Sequence, residues 1–139
     1  MKRKFNSGMT LVELLVVVLI IGILASIAVP SYRGYVIRTN RTDAKATLVT
    51  TAAAMERCYS QRRSYSLGGC TVAESFTSND QKYQITVAPS ADGENFTLTA
   101  TPLGGQLQDT QCASFVLTDA NVRTVTGTKS ATPLECWSK

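Results

Sequence analysis

One carboxylate sits where a carboxylate is costly. Glu13 is the only ionisable side chain between Met9 and Val29, a run of 21 residues dominated by Leu, Val, Ile and Ala. An acid inside an apolar segment needs a partner, and no Lys or Arg occurs between Lys4 and Arg33. One cut would create a partner. Cleavage after Gly8 makes Met9 the amino terminus, with its amine four residues from Glu13 and on the same helix face. The amine of a neighbouring copy would serve equally. Glu13 then reads as a register device, a charge satisfied only when subunits pack correctly. A second group of candidates is Arg57, Arg62 and Arg63, interleaved with Tyr59 and Tyr65. Guanidinium groups can hold a phosphate backbone and rings can stack on bases, so this cluster is a candidate contact for DNA. The competing reading makes Tyr59 core and the arginines a solvated edge or a contact with neighbouring subunits.

Chemistry of other kinds has little to work with. The chain has no histidine, which removes Ser-His-Asp and Cys-His arrangements. Its ten carboxylates are scattered, and Gly104-Gly105 and Thr126-Gly127-Thr128-Lys129 lack the phosphate-cradling pattern. The expectation is therefore no enzyme, no catalytic residue, no cofactor and no metal. The four cysteines, Cys58, Cys70, Cys112 and Cys136, form no CxxC, so a zinc site is not expected. Disulfides suit an exported domain better. Four cysteines allow three pairings, and proximity in sequence favours Cys58–Cys70 and Cys112–Cys136. Each closes a short loop worth about 3 kcal/mol by loop entropy.

These residues must be positioned by something. A helix of 21 residues spans about 30 Å, enough to cross a hydrocarbon core. A secretory signal peptide, cut near Ala25-Ser26-Ile27-Ala28, and a plain membrane anchor are rival readings of the run, and Glu13 argues against both. Lys2-Arg3-Lys4 before it favour a cytoplasmic N-terminus with the remainder outside. These three residues also supply most of the net charge of +4, so the high isoelectric point says nothing about nucleic acid binding by the rest. Beyond Pro30 the helix resumes. Ala44, Leu48, Ala52, Met55 and Tyr59 make one apolar stripe at helical spacing, with Arg41, Asp43, Lys45 and Arg57 mostly off it. One long helix is expected from about Met9 to Gln61, apolar all round in its first half and on one side in its second.

The stretch Arg62–Gln81 reads as a loop with little regular structure. Alternation then predicts strands around Tyr83-Ile85-Val87, Phe96-Leu98-Ala100, Ala113-Phe115-Leu117 and Val122–Thr126, with a hairpin turn at Asp92-Gly93 and a turn-rich tail from Gly127. A helix across a four-stranded, largely antiparallel meander is an α+β architecture, with a modest core of roughly a hundred residues that benefits from covalent staples.

Gly8-Met9-Thr10-Leu11-Val12-Glu13 and the apolar run after it resemble the class III signal of type IV prepilins. The resemblance continues into the head. Met55-Glu56-Arg57 before Tyr59, the segment Thr97–Pro102, and the Thr126–Lys129 turn before Cys136-Trp137 are similar to PilE-type minor pilins of Gram-negative bacteria. It implies a pilin fold and three segments: a leader, 1–8; a membrane and filament-core half helix, 9–30; and a periplasmic or surface head, 31–139, with a D-region at 112–136. It implies that a prepilin peptidase cuts between Gly8 and Met9 and methylates the new amine. Glu13 matches the assembly glutamate, and Gly22 and Pro30 match positions where the helix loosens in filaments. Met9 departs from the usual Phe, and Ser7 stands where a basic residue is common. The implied partners are other pilin subunits, the peptidase, the inner-membrane assembly machinery and the membrane itself. The implied function is a type IV pilus subunit, a minor pilin supporting pilus biogenesis, twitching motility, adhesion or DNA uptake. Its location is first the inner membrane, then the extracellular filament. A major pilin, a type II secretion pseudopilin and a pilus-borne DNA-binding subunit are the alternatives.

Overall fold

A computed structural model describes residues 9–127 and 132–138. The leader, Gly8 included, and residues 128–131, which hold the end of the Thr126–Lys129 turn, lie outside the described residues. The chain divides into two compact units, Met1–Tyr35 and Val36–Lys139.

Helix α1 runs Leu11–Arg62. It starts with a reciprocal cap that the sequence reading did not use. The Glu13 amide donates to Thr10 Oγ1 (3.2 Å), and the Thr10 amide donates to Glu13 Oε2 (3.4 Å). This Thr-x-x-Glu arrangement satisfies two of the donors that every helix start leaves open. In the first unit the helix continues through Gly22 and Pro30. Pro30 has no amide to donate to the preceding turn, so the ladder lacks one bond there. The side chains before it are exposed, including Leu11, Val12 and Ile27, and this stretch is long and apolar enough to cross a membrane.

In the second unit, Ala44, Leu48 and Met55 are buried, and Ala52 and Tyr59 are half-buried against the same core. The facing layer is a sheet of five strands in the order β1-β2-β3-β4-β5, every neighbour antiparallel. Strands β2 (Tyr83–Pro89), β3 (Phe96–Pro102), β4 (Ser114–Thr118) and β5 (Arg123–Thr126) fall where alternation placed them. Tyr83, Ile85 and Val87 face inward beside Phe96, Leu98 and Ala100, then Phe115 and Leu117. With period-two side chains, this register puts all the large apolar groups on one face.

The sheet has one strand more than expected. Strand β1 (Ser75–Thr77) lies inside the stretch read as loop and pairs Phe76 with Ile85. At three residues it is too short to carry a periodic signal, and it forms because the edge of β2 offers free backbone groups. Two other departures are local. Gly104-Gly105 opens a 3₁₀ turn, Gly104–Gln108, and the tail contains helix α2 (Pro133–Ser138), started by a second reciprocal cap between Thr132 and Glu135.

The expected turn at Asp92-Gly93 joins β2 to β3. Gly93 has φ +71°, a conformation that favours glycine, and a Cβ there would also push the Ser64 hydroxyl aside. Ser90 and the Glu94 amide both donate to the Asp92 carboxylate and hold it below its usual range. Cys58 pairs with Cys70, and Cys112 with Cys136.

Candidate functional site: the helix start and the basic edge of the head

Glu13 and Met9 are both exposed on the isolated subunit. The carboxylate caps its own helix and is open to a further partner. The Thr10 amide reaches it at 3.4 Å, the long end of hydrogen-bonding distance. Within one chain the arrangement is an acid held at the first turn of α1, on an apolar surface with no cation among residues 9–32.

At the other end of α1, Arg57, Arg62 and Arg63 are all exposed. The helix stops because Arg63 turns into the left-handed region (φ 59°) while its amide still bonds Tyr59 O at 2.7 Å. The Arg62 guanidinium folds over Gly69, where a Cβ would collide with it. The two tyrosines do not present faces for bases. Tyr65 is buried, stacked on Tyr59 at 4.5 Å between centroids and edge-on to Phe96 at 4.8 Å. Its hydroxyl donates to Glu56 Oε1 at 3.0 Å, and its amide to Gly93 O at 2.8 Å. The aromatic half of the expected DNA contact is thus structural. It pins the loop that follows α1 to the sheet and leaves three cations on the edge, with Glu56 beside them.

Burial, and then the Glu56 carboxylate that accepts its proton, push the Tyr65 hydroxyl up to about 12 from the ordinary 10.0. The folded head binds that proton where the unfolded chain has lost it. The resulting stability is complete below pH 10 and disappears as pH rises from 10 toward 12. Calorimetric Tm should fall over that window, and Tyr65→Phe should make the fall shallower.

Three features went unforeseen. The first is a buried polar network. Arg41 lies on the inner face of α1, only 6% exposed, and makes a two-pronged ion pair with Asp109: Nε–Oδ2 2.7 Å and Nη2–Oδ1 2.9 Å. The expectation that Arg41 lies off the stripe is therefore corrected. Arg41, Ala44 and Leu48 are spaced i, i+3, i+7 and share a face. Gln106 completes the network. Its Nε2 donates to Ile37 O (3.1 Å) and Tyr83 Oη (2.9 Å), and its Oε1 accepts from Asn40 Nδ2 (3.0 Å). Asp109 Oδ1 also accepts from the Cys112 amide at 3.1 Å, so the network sets the start of the 112–136 disulfide loop. The second is Trp137, which packs edge-on to Phe115, donates Nε1–H to Thr124 O at 3.1 Å and lies under the Arg123 guanidinium, 5.3 Å away. The only earlier sign of it was the Cys-Trp pair near the chain end. The third is the Thr10/Glu13 cap, legible in sequence as Thr-x-x-Glu before an apolar run.

Residues 30–116 match the family model described as type IV minor pilin ComP, DNA uptake sequence receptor. Residues 3–29 match the prokaryotic N-terminal methylation motif. The chain is a type IV pilin. It belongs to the minor-pilin family whose model covers residues 30–116, from Pro30 in α1 into strand β4. The pilin is 36% identical over 101 residues to the fimbrial protein EcpC of Eikenella corrodens, covering 73% of this chain and 65% of that protein. It is 40% identical over 82 residues to a fimbrial protein of Pseudomonas aeruginosa, covering 59% of this chain and 49% of that one. The pilin thus spans about half to two-thirds of the length of these relatives. Among solved structures, a type IV pilin from Shewanella oneidensis superposes with TM-score 0.51 at 32% identity, over 63% of this chain and 89% of that one.

Proposed function

We propose that the pilin is a minor subunit that enters a type IV pilus through its N-terminal helix and brings a DNA-contacting head to the filament surface. The observation that carries this reading is the match of residues 30–116 to a minor-pilin family described as a DNA uptake sequence receptor. The steps before assembly follow from the N-terminal motif match and the basic leader. A prepilin peptidase cuts between Gly8 and Met9 and methylates the Met9 amine. The chain waits in the inner membrane with its N-terminus cytoplasmic and residues 31–139 periplasmic. The assembly machinery then draws it into the filament, where Glu13 meets the Met9 amine of a neighbour. Gly22 and Pro30 give the helix two places to loosen, one without a side chain and one without an amide donor.

On the head, the exposed arginines 57, 62 and 63 are the proposed phosphate contacts. They supply charge for affinity rather than stacking for sequence, because Tyr59 and Tyr65 are committed to the core. The test uses the full chain in detergent and duplex DNA. Replacing all three arginines by alanine should weaken binding at low salt and reduce the slope of log K against log salt by about 2–3, at about 0.9 per phosphate contact. An unchanged slope removes these residues from the interface. In cells, deletion should abolish DNA uptake while pili remain.

A second reading, a major pilin, is favoured by relatives such as the type IV major pilin protein PilA of Myxococcus xanthus, 41% identical over 61 residues. Abundance in sheared pili separates the two readings.

A further inference from the structure

The two disulfides of the head differ in what surrounds them. Cys112 and Cys136 are 1% and 0% exposed, part of the same core cluster as Phe115. Cys58 and Cys70 instead line an open surface cleft of about 230 Å³, shared with Arg57, Gln61, Gly69 and Thr71. Cys70 is the more accessible residue of the pair, half-buried where Cys58 is 8% exposed. The mouth of the cleft is cationic. Arg57 lines it, and Arg62, over Gly69, sits on the same helix face as Cys58 four residues away.

We infer that Cys58–Cys70 is a thiol–disulfide exchange site for small anionic thiols, open while Cys112–Cys136 stays closed. Exchange requires a thiolate to reach one sulfur in line with the bond, so access decides which bridge reacts. A thiolate attacks Cys70 Sγ and the S–S bond breaks. Its electron pair leaves on Cys58 Sγ, which takes a proton from water. A second thiolate attacks the small-molecule sulfur of the mixed disulfide; Cys70 leaves as a thiolate and takes a proton from water, and a small-molecule disulfide is released. Two thiols are oxidised to one disulfide, and the protein gains two electrons and two protons. Cys58 lies in the last turn of α1, where the helix dipole opposes a thiolate, and the two arginines offset that field.

The structural consequence is confined. Tyr65 keeps its ring in the core and its amide on Gly93 O without help from the bridge. Beyond it, the amides of Gly69 and Cys70 bond only to Leu67 O, a local turn. Leu67 and Val72 pack against the core, and Glu74 O accepts from the Val87 amide at 2.8 Å. Reduction therefore loosens residues 68–71 between them and takes away the seat of Arg62, while the sheet stays intact. The exchange itself does not depend on any contact with DNA.

The test incubates the oxidised full chain in detergent with reduced glutathione, quenches in acid, alkylates and maps peptides by mass. The expected result is a glutathione adduct at Cys70, with Cys58 and Cys70 alkylated at least about tenfold faster than Cys112 and Cys136. Hydrogen exchange should then rise only in residues 68–71. Equal rates, or reaction first at Cys112–Cys136, overturn the proposal. The anionic preference has its own arm: Arg57→Ala with Arg62→Ala should lower the ratio of the glutathione rate to the 2-mercaptoethanol rate. An unchanged ratio removes the arginines from the site.

Discussion

Asp109→Ala destabilises the head by about 3–5 kcal/mol, measured by urea unfolding with both disulfides intact. The Asp109 side chain is 2% exposed and takes both prongs of the Arg41 guanidinium. Removing it leaves a permanent charge inside the core with no counter-ion. It also orphans the Cys112 amide, which donates to Asp109 Oδ1 at 3.1 Å. The double variant Arg41→Met/Asp109→Leu is the informative control. Replacing a buried pair by apolar groups of similar size is often neutral, so most of the loss should return. The Cys112 amide stays unsatisfied in the double variant, which keeps a residue of about 1–3 kcal/mol. A loss below 1 kcal/mol for Asp109→Ala would mean that water reaches Arg41. The functional cost is positional: Gln106 and Asp109 join the helix segment Ile37–Arg41 to the start of the 112–136 loop.

The second large effect concerns assembly. Glu13→Val and Glu13→Gln should both leave membrane insertion and Gly8/Met9 processing intact and cut incorporation into pili at least about tenfold. The two variants separate two roles of one side chain. Glutamine can keep the reciprocal bond to the Thr10 amide and so preserve the cap, whereas valine cannot. The cap is worth only about 1 kcal/mol. A charge partner for a neighbour's amine, desolvated in a helix bundle, is worth several times that when removed. If Glu13→Gln pilins incorporate at wild-type levels in sheared filaments, Glu13 is a cap and nothing more. Gly8→Ser should leave unprocessed precursor in either case, which shows that processing and docking are separate steps.

The arginine edge teaches a different lesson. Basic and aromatic residues interleaved in sequence suggested one surface that both holds phosphates and stacks bases. Folding separates them. Arg57, Arg62 and Arg63 stay in water, while Tyr65 turns inward and Tyr59 stacks on it. A tyrosine with an apolar ring and a nearby carboxylate for its hydroxyl loses little by burial, whereas an arginine without a counter-ion would lose a great deal.

What the sequence determined by itself is what short-range periodicity can encode. The apolar run with one acid, the stripe Ala44-Leu48-Met55, the alternation in β2 to β5 and the Asp92-Gly93 turn each depend on neighbours within a few positions. Both disulfides join cysteines adjacent in chain order, separated by 12 and 24 residues, so they too were within reach. The tertiary structure alone decided the rest. Arg41 meets Asp109 across 68 residues, and Gln106 reaches Ile37 across 69. A charge on a helix reads as solvent-facing until a partner is known to wait beneath it, and that partner is placed only when the 3₁₀ turn has folded against the helix. The same holds for β1, whose pairing is a property of the open edge of β2 rather than of its own three residues. Local pattern wrote the elements. Burial of a few polar groups, each stable only when matched across the fold, fixed how they lock together.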